Sequence, residues 1–435
     1  MFSPIRARRM CGLLALAFAL ASVPAPAAVD YQRALQLAQE LDPQVAAVRQ
    51  RADAVQQDAV ADSQWADPMI KLGAVNLPTD SFAFDEQPMT QKLVGVSQKL
   101  PRGDSARLTG ERGSLQAQAG YADAADRELR LALQVSEAFL RLSAQLESLE
   151  LMRENRHWLV QLVEYDRARV ATGEAQSQQL LQSQLALARL DDRIQALEGE
   201  ANRSRGQLSQ WIGTAAWEPI DTSLPGWAET SAWLASRPVP VAPETVAGHP
   251  ALAAAAARVE AEGRNVDIAL EAYKPQWQFE LSYGQREPTP TSDGADFASA
   301  MVSFDLPLFT GKRQDRRLAA ARARESAGIL QRQDILQTLH SGLNGAAAAA
   351  DSLAARRHLY HTELLPTAED TAGALLSGYA SNTADLDAVI DARVEAIEAQ
   401  IDAVQLDYDY YRALARVRYY RAAAPGVETP ARDSK

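Results

Sequence analysis

The sequence predicts a mostly α fold with a membrane β-barrel portion, built as a tandem structural repeat. Three observations predict it: motifs that recur at one offset, proline-free heptad stretches far longer than globular helices, and a brief switch to period-2 alternation inside each copy.

The repeat comes first in the chain. Asp42-Pro43, followed by Val45-Ala46-Ala47-Val48-Arg49, returns about 207 residues later as His249-Pro250, followed by Leu252-Ala253-Ala254-Ala255-Ala256. Trp65-Ala66-Asp67-Pro68 returns as Tyr273-Lys274-Pro275, and Val96-Ser97-Gln98-Lys99-Leu100-Pro101 as Val302-Ser303-Phe304-Asp305-Leu306-Pro307. Gly173-Glu174-Ala175, leading to Leu180-Leu181, returns as Asn382-Thr383-Ala384, leading to Val389-Ile390. Each copy has one internal order: helix, strand pair, very long helix, turn, helix. The expected divisions are a signal peptide at 1–28, a first repeat at 29–213, a linker at 214–243, a second repeat at 244–421 and a flexible C-terminal tail at 422–435.

The signal peptide rests on Arg6, Arg8 and Arg9 before an apolar run at 10–21, then Ala25-Pro26-Ala27-Ala28 as a small-residue cleavage site. Cleavage near Ala27 or Ala28 removes Cys11, the only cysteine, leaving no disulfide and no thiol ligand or nucleophile. The residues ahead of Cys11 are Ala7-Arg8-Arg9-Met10, which no lipobox allows. The formal charge of −12 becomes −15 once the three arginines are gone. An acidic exported chain without Lys/Arg clusters offers no footprint for nucleic acid. After the leader no apolar run reaches 18 residues, so any membrane crossing must be made by strands. Nothing in the chain reads as a phosphate-cradling glycine loop, a nucleophile elbow or a pair of catalytic carboxylates, so no enzyme and no cofactor is expected.

The long helices follow from the heptads. No proline occurs between Arg102 and Glu218. Within that stretch Val135, Phe139, Leu142, Leu146 and Leu149 keep alternating steps of four and three, as do Leu187, Leu190, Ile194, Leu197 and Ala201. In the second copy Leu336, Leu339, Leu343, Ala346, Ala350 and Leu353 keep that beat, and so do Ile397, Ile401, Val404, Tyr408 and Tyr411. A helix over 103–170 would be roughly 100 Å long. The pairs are expected to turn at Gly173 and Asn382, glycine and asparagine being the residues most tolerant of the left-handed conformation that ends helices. By heptads alone a plain coiled-coil rod fits equally well.

Strands decide against the rod. Trp277, Phe279, Leu281 and Tyr283 alternate with Gln276, Gln278, Glu280 and Ser282, and Ala298, Ala300, Val302, Phe304 and Leu306 alternate next with Ser299, Met301, Ser303 and Asp305. Lys92, Val94, Val96, Gln98 and Leu100 repeat the pattern more weakly, and 69–75 is the least regular. Strands of about 9–11 residues span an outer membrane when tilted. The connections 77–90 and 284–297 read as exposed loops. Four strands cannot close a barrel, and bare edges cannot enter lipid. Three copies would supply twelve strands, with a helical tube beneath.

These features in this order resemble the TolC-like family of outer membrane efflux proteins, over about 31–420. The resemblance rests on the tandem copies, the strand ends Leu100-Pro101 and Leu306-Pro307, and Tyr379-Ala380-Ser381-Asn382-Thr383-Ala384-Asp385 running to Val389-Ile390-Asp391-Ala392. It implies a homotrimer in the outer membrane of a Gram-negative bacterium, with a 12-stranded β-barrel, a trimeric periplasmic α-barrel and an equatorial belt. Pro366 would break a helix at that belt, and the linker would lie there too. It implies a periplasmic gate in which Tyr379 matches the gate tyrosine and Asp391 the inner acid. The family's turn arginine and outer aspartate are here Ala384 and Ala388, so Asp385 and Asp387 would supply the acidic ring, with first-turn acids answering the helix dipole as the plain alternative. Gln178 and Gln179 make the first copy's contribution neutral.

The implied partners are a periplasmic adaptor and an inner-membrane RND transporter, besides outer membrane lipid. Met89-Thr90-Gln91 with Val94-Gly95-Val96-Ser97-Gln98, and Leu306-Pro307-Leu308-Phe309, resemble the heavy-metal branch, implying export of metal cations. Multidrug efflux or type I protein secretion are alternatives, and a periplasmic coiled-coil adaptor or scaffold is one of another class. His358 and His361 have ligand spacing, but only Glu363 stands nearby as a third ligand, so they read as a solvated pair.

Overall fold

The fold is taken from a computed structural model, which describes residues 28–422; the expected signal peptide up to residue 27, with Cys11, and all but the first residue of the expected C-terminal tail lie outside the described residues. Asp30 caps α1 (Tyr31–Leu41) and Asp42 caps α2 (Pro43–Asp62), with Pro43 at the first helical position, where its missing N–H costs nothing. A hairpin follows, β1 (Met69–Val75) and β2 (Gln91–Lys99), and then α3 (Ser105–Thr172), 68 residues long. Gly173 ends it with φ 79°, and α4 (Ser177–Ile212) returns alongside.

His249 caps α6 (Pro250–Glu271), again with proline at the first position. Strands β3 (Trp277–Gln285) and β4 (Phe297–Phe304) lead to α7 (Gln314–Leu359). A π turn, Tyr360–Leu364, joins α7 to α8 (Leu365–Ala380). The sequence places the break at Pro366; the observed irregularity lies just before it. Proline has no N–H for the carbonyl four residues back, and Leu365 instead donates five residues back, to Tyr360. Asn382, φ 57°, turns the chain into α9 (Leu386–Tyr420).

The segment 214–243, expected as a linker, is structured. It carries the 3-10 turns Gly213–Trp217 and, at its end, Pro243–Val246, with α5 (Ala228–Ser236) between them. Val29 bridges to Ile220, and the Trp227 ring is buried edge-on to Tyr31 at 5.4 Å. Trp227 is the apolar anchor that holds this segment against α1 and α9, its ring 5.9 Å from that of Tyr411, in the core cluster to which Val135, Phe139 and Leu142 of α3 also belong.

Helix α3 is the axis of the protomer. Near the sheet it packs on α2 and α6, and farther along on α4 and α9. The closest approach is glycine against alanine: a Cβ on Gly113 would stand 2.5 Å from Ala59 Cβ, and one on Gly120 2.9 Å from Ala52 Cβ.

The sheet has order β1-β2-β3-β4, all antiparallel, so its outer edges are β1 and β4. Register places Ile70 beside Val96, Val96 beside Leu281 and Leu281 beside Ala300, which gathers the apolar residues on one face. That face is exposed, Leu281 to 59% and Val302 to 53%, while the alternating polar residues of β3 are half-buried. Lys71 and Glu280 pair on the polar face. The strands are 7, 9, 9 and 8 residues long, two of them shorter than the expected 9–11. Pro68 cannot donate into a ladder, and Asn76 at φ 54° leaves the extended region, so β1 is bounded on both sides. No helix among the described residues is long and apolar enough to cross a membrane.

Candidate functional site

At the end of the helical pairs farthest from the sheet, α8 turns into α9 beside the turn from α3 into α4. Tyr379, in the last turn of α8, is 4% exposed and points into α3. Its hydroxyl donates to Asp166 Oδ1 at 3.1 Å and accepts from Arg169 Nη1 at 3.0 Å. The Arg169 guanidinium lies 5.4 Å from the Tyr379 ring centre and 5.7 Å from that of Tyr165. The two rings meet edge-on at 6.3 Å. Burial first, then the Asp166 carboxylate, push the Tyr379 hydroxyl up to about 12, partly opposed by Arg169. It is therefore a neutral donor at any physiological pH. Asp166 is wholly buried, and its Oδ2 has no hydrogen-bond partner. A carboxylate oxygen left dry in this way is costly to keep.

The four gate candidates are not one cluster. Tyr379 faces α3, whereas Asp385, Asp387 and Asp391 are exposed on the other side of the turn. Asp385 is the N-cap residue of α9, without a side-chain capping bond. Asp387 accepts from Gln182 Nε2 on α4 at 3.1 Å. Asp391 lies on the wall of an open groove of about 510 Å³ between α4 and α9. That groove has an apolar floor that includes Leu190, Ile390 and Val394, and Arg189 and Arg193 line it from α4.

The first copy brings an acid and a base to the contact with Tyr379. Gln178 and Gln179 are at the tip, but Asp166 and Arg169 carry the charge into that contact. The sequence does hold a signal for them: Leu159, Leu162, Asp166 and Arg169 keep the three-four step of a buried seam, so two charged residues stand at core positions. His361 is not free as half of a histidine pair. His361 Nε2 lies 3.2 Å from Asp407 Oδ2, and Arg357 donates to the same carboxylate at 2.5 Å. Among the described residues no group of three His, Cys, Asp or Glu could hold a metal ion.

Comparison with known proteins agrees with this geometry. The family model described as outer membrane efflux protein matches residues 241–421, the second copy. A search of curated protein sequences finds no match. Among solved structures CusC, described in a study of its folding and transmembrane channel formation, superimposes with a TM-score of 0.75 at 15% identity, covering 92% of this chain and 95% of that one. The Campylobacter jejuni CmeC outer membrane channel gives 0.73 at 11% identity over 99% and 96%. The open Neisseria gonorrhoeae MtrE outer membrane channel gives 0.71 at 16% identity over 90% and 88%. At such identities the likeness is one of fold.

Proposed function

We propose that this chain is an outer membrane efflux protein, the passive outer membrane duct of a tripartite RND-type pump. The observation that carries the reading is the inverted sheet. Apolar residues gather on one exposed face, the polar residues of β3 lie half-buried behind it, and among the described residues both edges lack partners. Lipid accepts such a sheet only when neighbouring copies close the edges. Three copies would give a 12-stranded barrel continued by a tube of long helices. Tyr379, Asp166 and Arg169 would then hold the second copy's coiled coil against the first at the periplasmic end, closing the duct. The α4–α9 groove, apolar in its floor and charged on its walls, suits the helical hairpin of a periplasmic adaptor.

Metal cations are the cargo we infer. Asp385 and Asp387, tripled around the axis, would concentrate cations at the entrance, and the inner-membrane transporter would select among them.

The test is planar-bilayer recording of detergent-purified protein. A trimer with cation-selective conductance is expected, and Asp385→Ala with Asp387→Ala should lower that selectivity. Unchanged selectivity removes both residues from the gate, and a stable monomer without conductance overturns the function. Susceptibility of a deletion strain across metals and drugs decides the cargo.

A further inference from the structure

Past the last residue of β4 the chain stays apolar while leaving the sheet. Leu306, Leu308 and Phe309 are 60%, 74% and 90% exposed. Water does not leave such a run bare without use. The segment continues the outward face formed by Ala298, Ala300, Val302 and Phe304. Its length answers a shortfall. The eight residues of β4 span roughly 26 Å, or about 20 Å along the membrane normal after tilting. A lipid-facing band in such barrels is about 25 Å tall.

Directly below, the chemistry changes to cations. Lys312, Arg313, Arg316 and Arg317 are all exposed. Among the described residues none of the four forms an ion pair, and Asp315 between them is engaged by the Tyr273 hydroxyl at 2.6 Å. The corresponding stretch of the first copy is neutralised within the protein: Arg102 pairs with Asp305, and Arg107 with Glu111 and Asp104. Duplication has therefore left one copy with free cations just under an apolar rim, in a chain of net charge −12. The opposite edge of the sheet offers a neighbouring copy only two carboxylates for these four cations. At that level Asp62 and Asp67 are exposed and form no ion pair among the described residues, and Lys99 stands beside Asp62.

We infer that 306–317 is a phospholipid collar. Leu306, Leu308 and Phe309 lie among acyl chains, and Lys312, Arg313, Arg316 and Arg317 bind the phosphates of anionic lipid in the leaflet on the helical side. The inference rests on the channel reading for its membrane and orientation. It adds a binding surface in the second copy that the first copy lacks.

The full-length protein, reconstituted in nanodiscs of phosphatidylethanolamine with graded phosphatidylglycerol, supplies the test. Two measurements are needed. In the first, a bimane probe on Phe309→Cys in a Cys11→Ser background should be quenched by a lipid-dissolved quencher and not by a water-soluble one. In the second, phosphatidylglycerol retained after detergent extraction and counted by native mass spectrometry should fall with cation removal. Affinity should weaken about fivefold per cation removed in the series ending at K312Q/R313Q/R316Q/R317Q. The probe measurement keeps all four cations, so it stands even if the fourfold variant assembles poorly. A probe shielded from both quenchers places Phe309 against a second copy and overturns the collar, as does unchanged lipid retention in an assembled variant. Either result in a conducting trimer leaves the channel reading intact, whereas a chain that never inserts overturns both.

Discussion

Asp42 and His249 occupy matched places in the two copies and cap matched helices with different chemistry. Asp42 Oδ1 accepts from Gln44 N at 2.7 Å, and its other oxygen meets Arg127 at 3.1 Å. His249 Nδ1 accepts from Ala251 N at 3.2 Å, with Asp126 3.9 Å away and the Tyr419 ring at 5.0 Å. Neighbouring residues of α3, Asp126 and Arg127, thus serve both caps. The His249 ring is wholly buried. Burial chiefly, helped by Arg130, holds it below the usual histidine value against the opposing pull of Asp126 and of the Tyr419 backbone. The unfolded chain therefore takes up a proton at higher pH than the folded one. Stability is full above about pH 6.5 and declines as pH falls below it, until the folded-state value is reached. His249→Asn keeps an acceptor at the cap and removes the titration. Its melting temperature should change less than that of the parent between pH 7.5 and 5.5; an equal change would show that the acid sensitivity lies elsewhere. At this scale the sequence revealed partners poorly. Tyr379 stands out by resemblance, but the residues it bonds lie 213 and 210 positions away, inside a seam that reads as hydrophobic.

Elements were legible in proportion to their periodicity. Helix α3 repeats its apolar step over many turns, and its 68 residues come close to the expected 103–170. Helix α5 has nine residues in a proline-rich stretch, too few for a period to emerge. The short β1 needed knowledge of the Asn76 backbone, which composition does not carry. The contact of α2 with α3 likewise depends on distance. Gly113→Ala would press a methyl group into Ala59 and should cost about 1–3 kcal/mol. Gly206→Ala on α4 meets open space and should stabilise by up to about 1 kcal/mol. Thermal melts of the two variants read the difference; equal shifts would mean that α2 yields to admit the methyl group.

The whole molecule is defined by what one copy of the chain leaves unpaired. Val302 lies on the outward face of edge strand β4, opposite Phe279. Val302→Arg should cost roughly 2–4 kcal/mol at mid-bilayer, visible as loss of the heat-modifiable assembled band on a gel. Normal assembly would place this face toward the lumen. Sheet order adds a consequence. The join of β2 to β3 is already a seam between repeats, pairing Val96 with Leu281. Shifted by the repeat offset, that pairing would set Val302 opposite Ala74 of the next chain in the proposed trimer. The finished wall would have six like spokes in its backbone and three in its side chains. Whatever distinguishes the halves, such as a lone imidazole cap, would then appear around the proposed ring three times and never six.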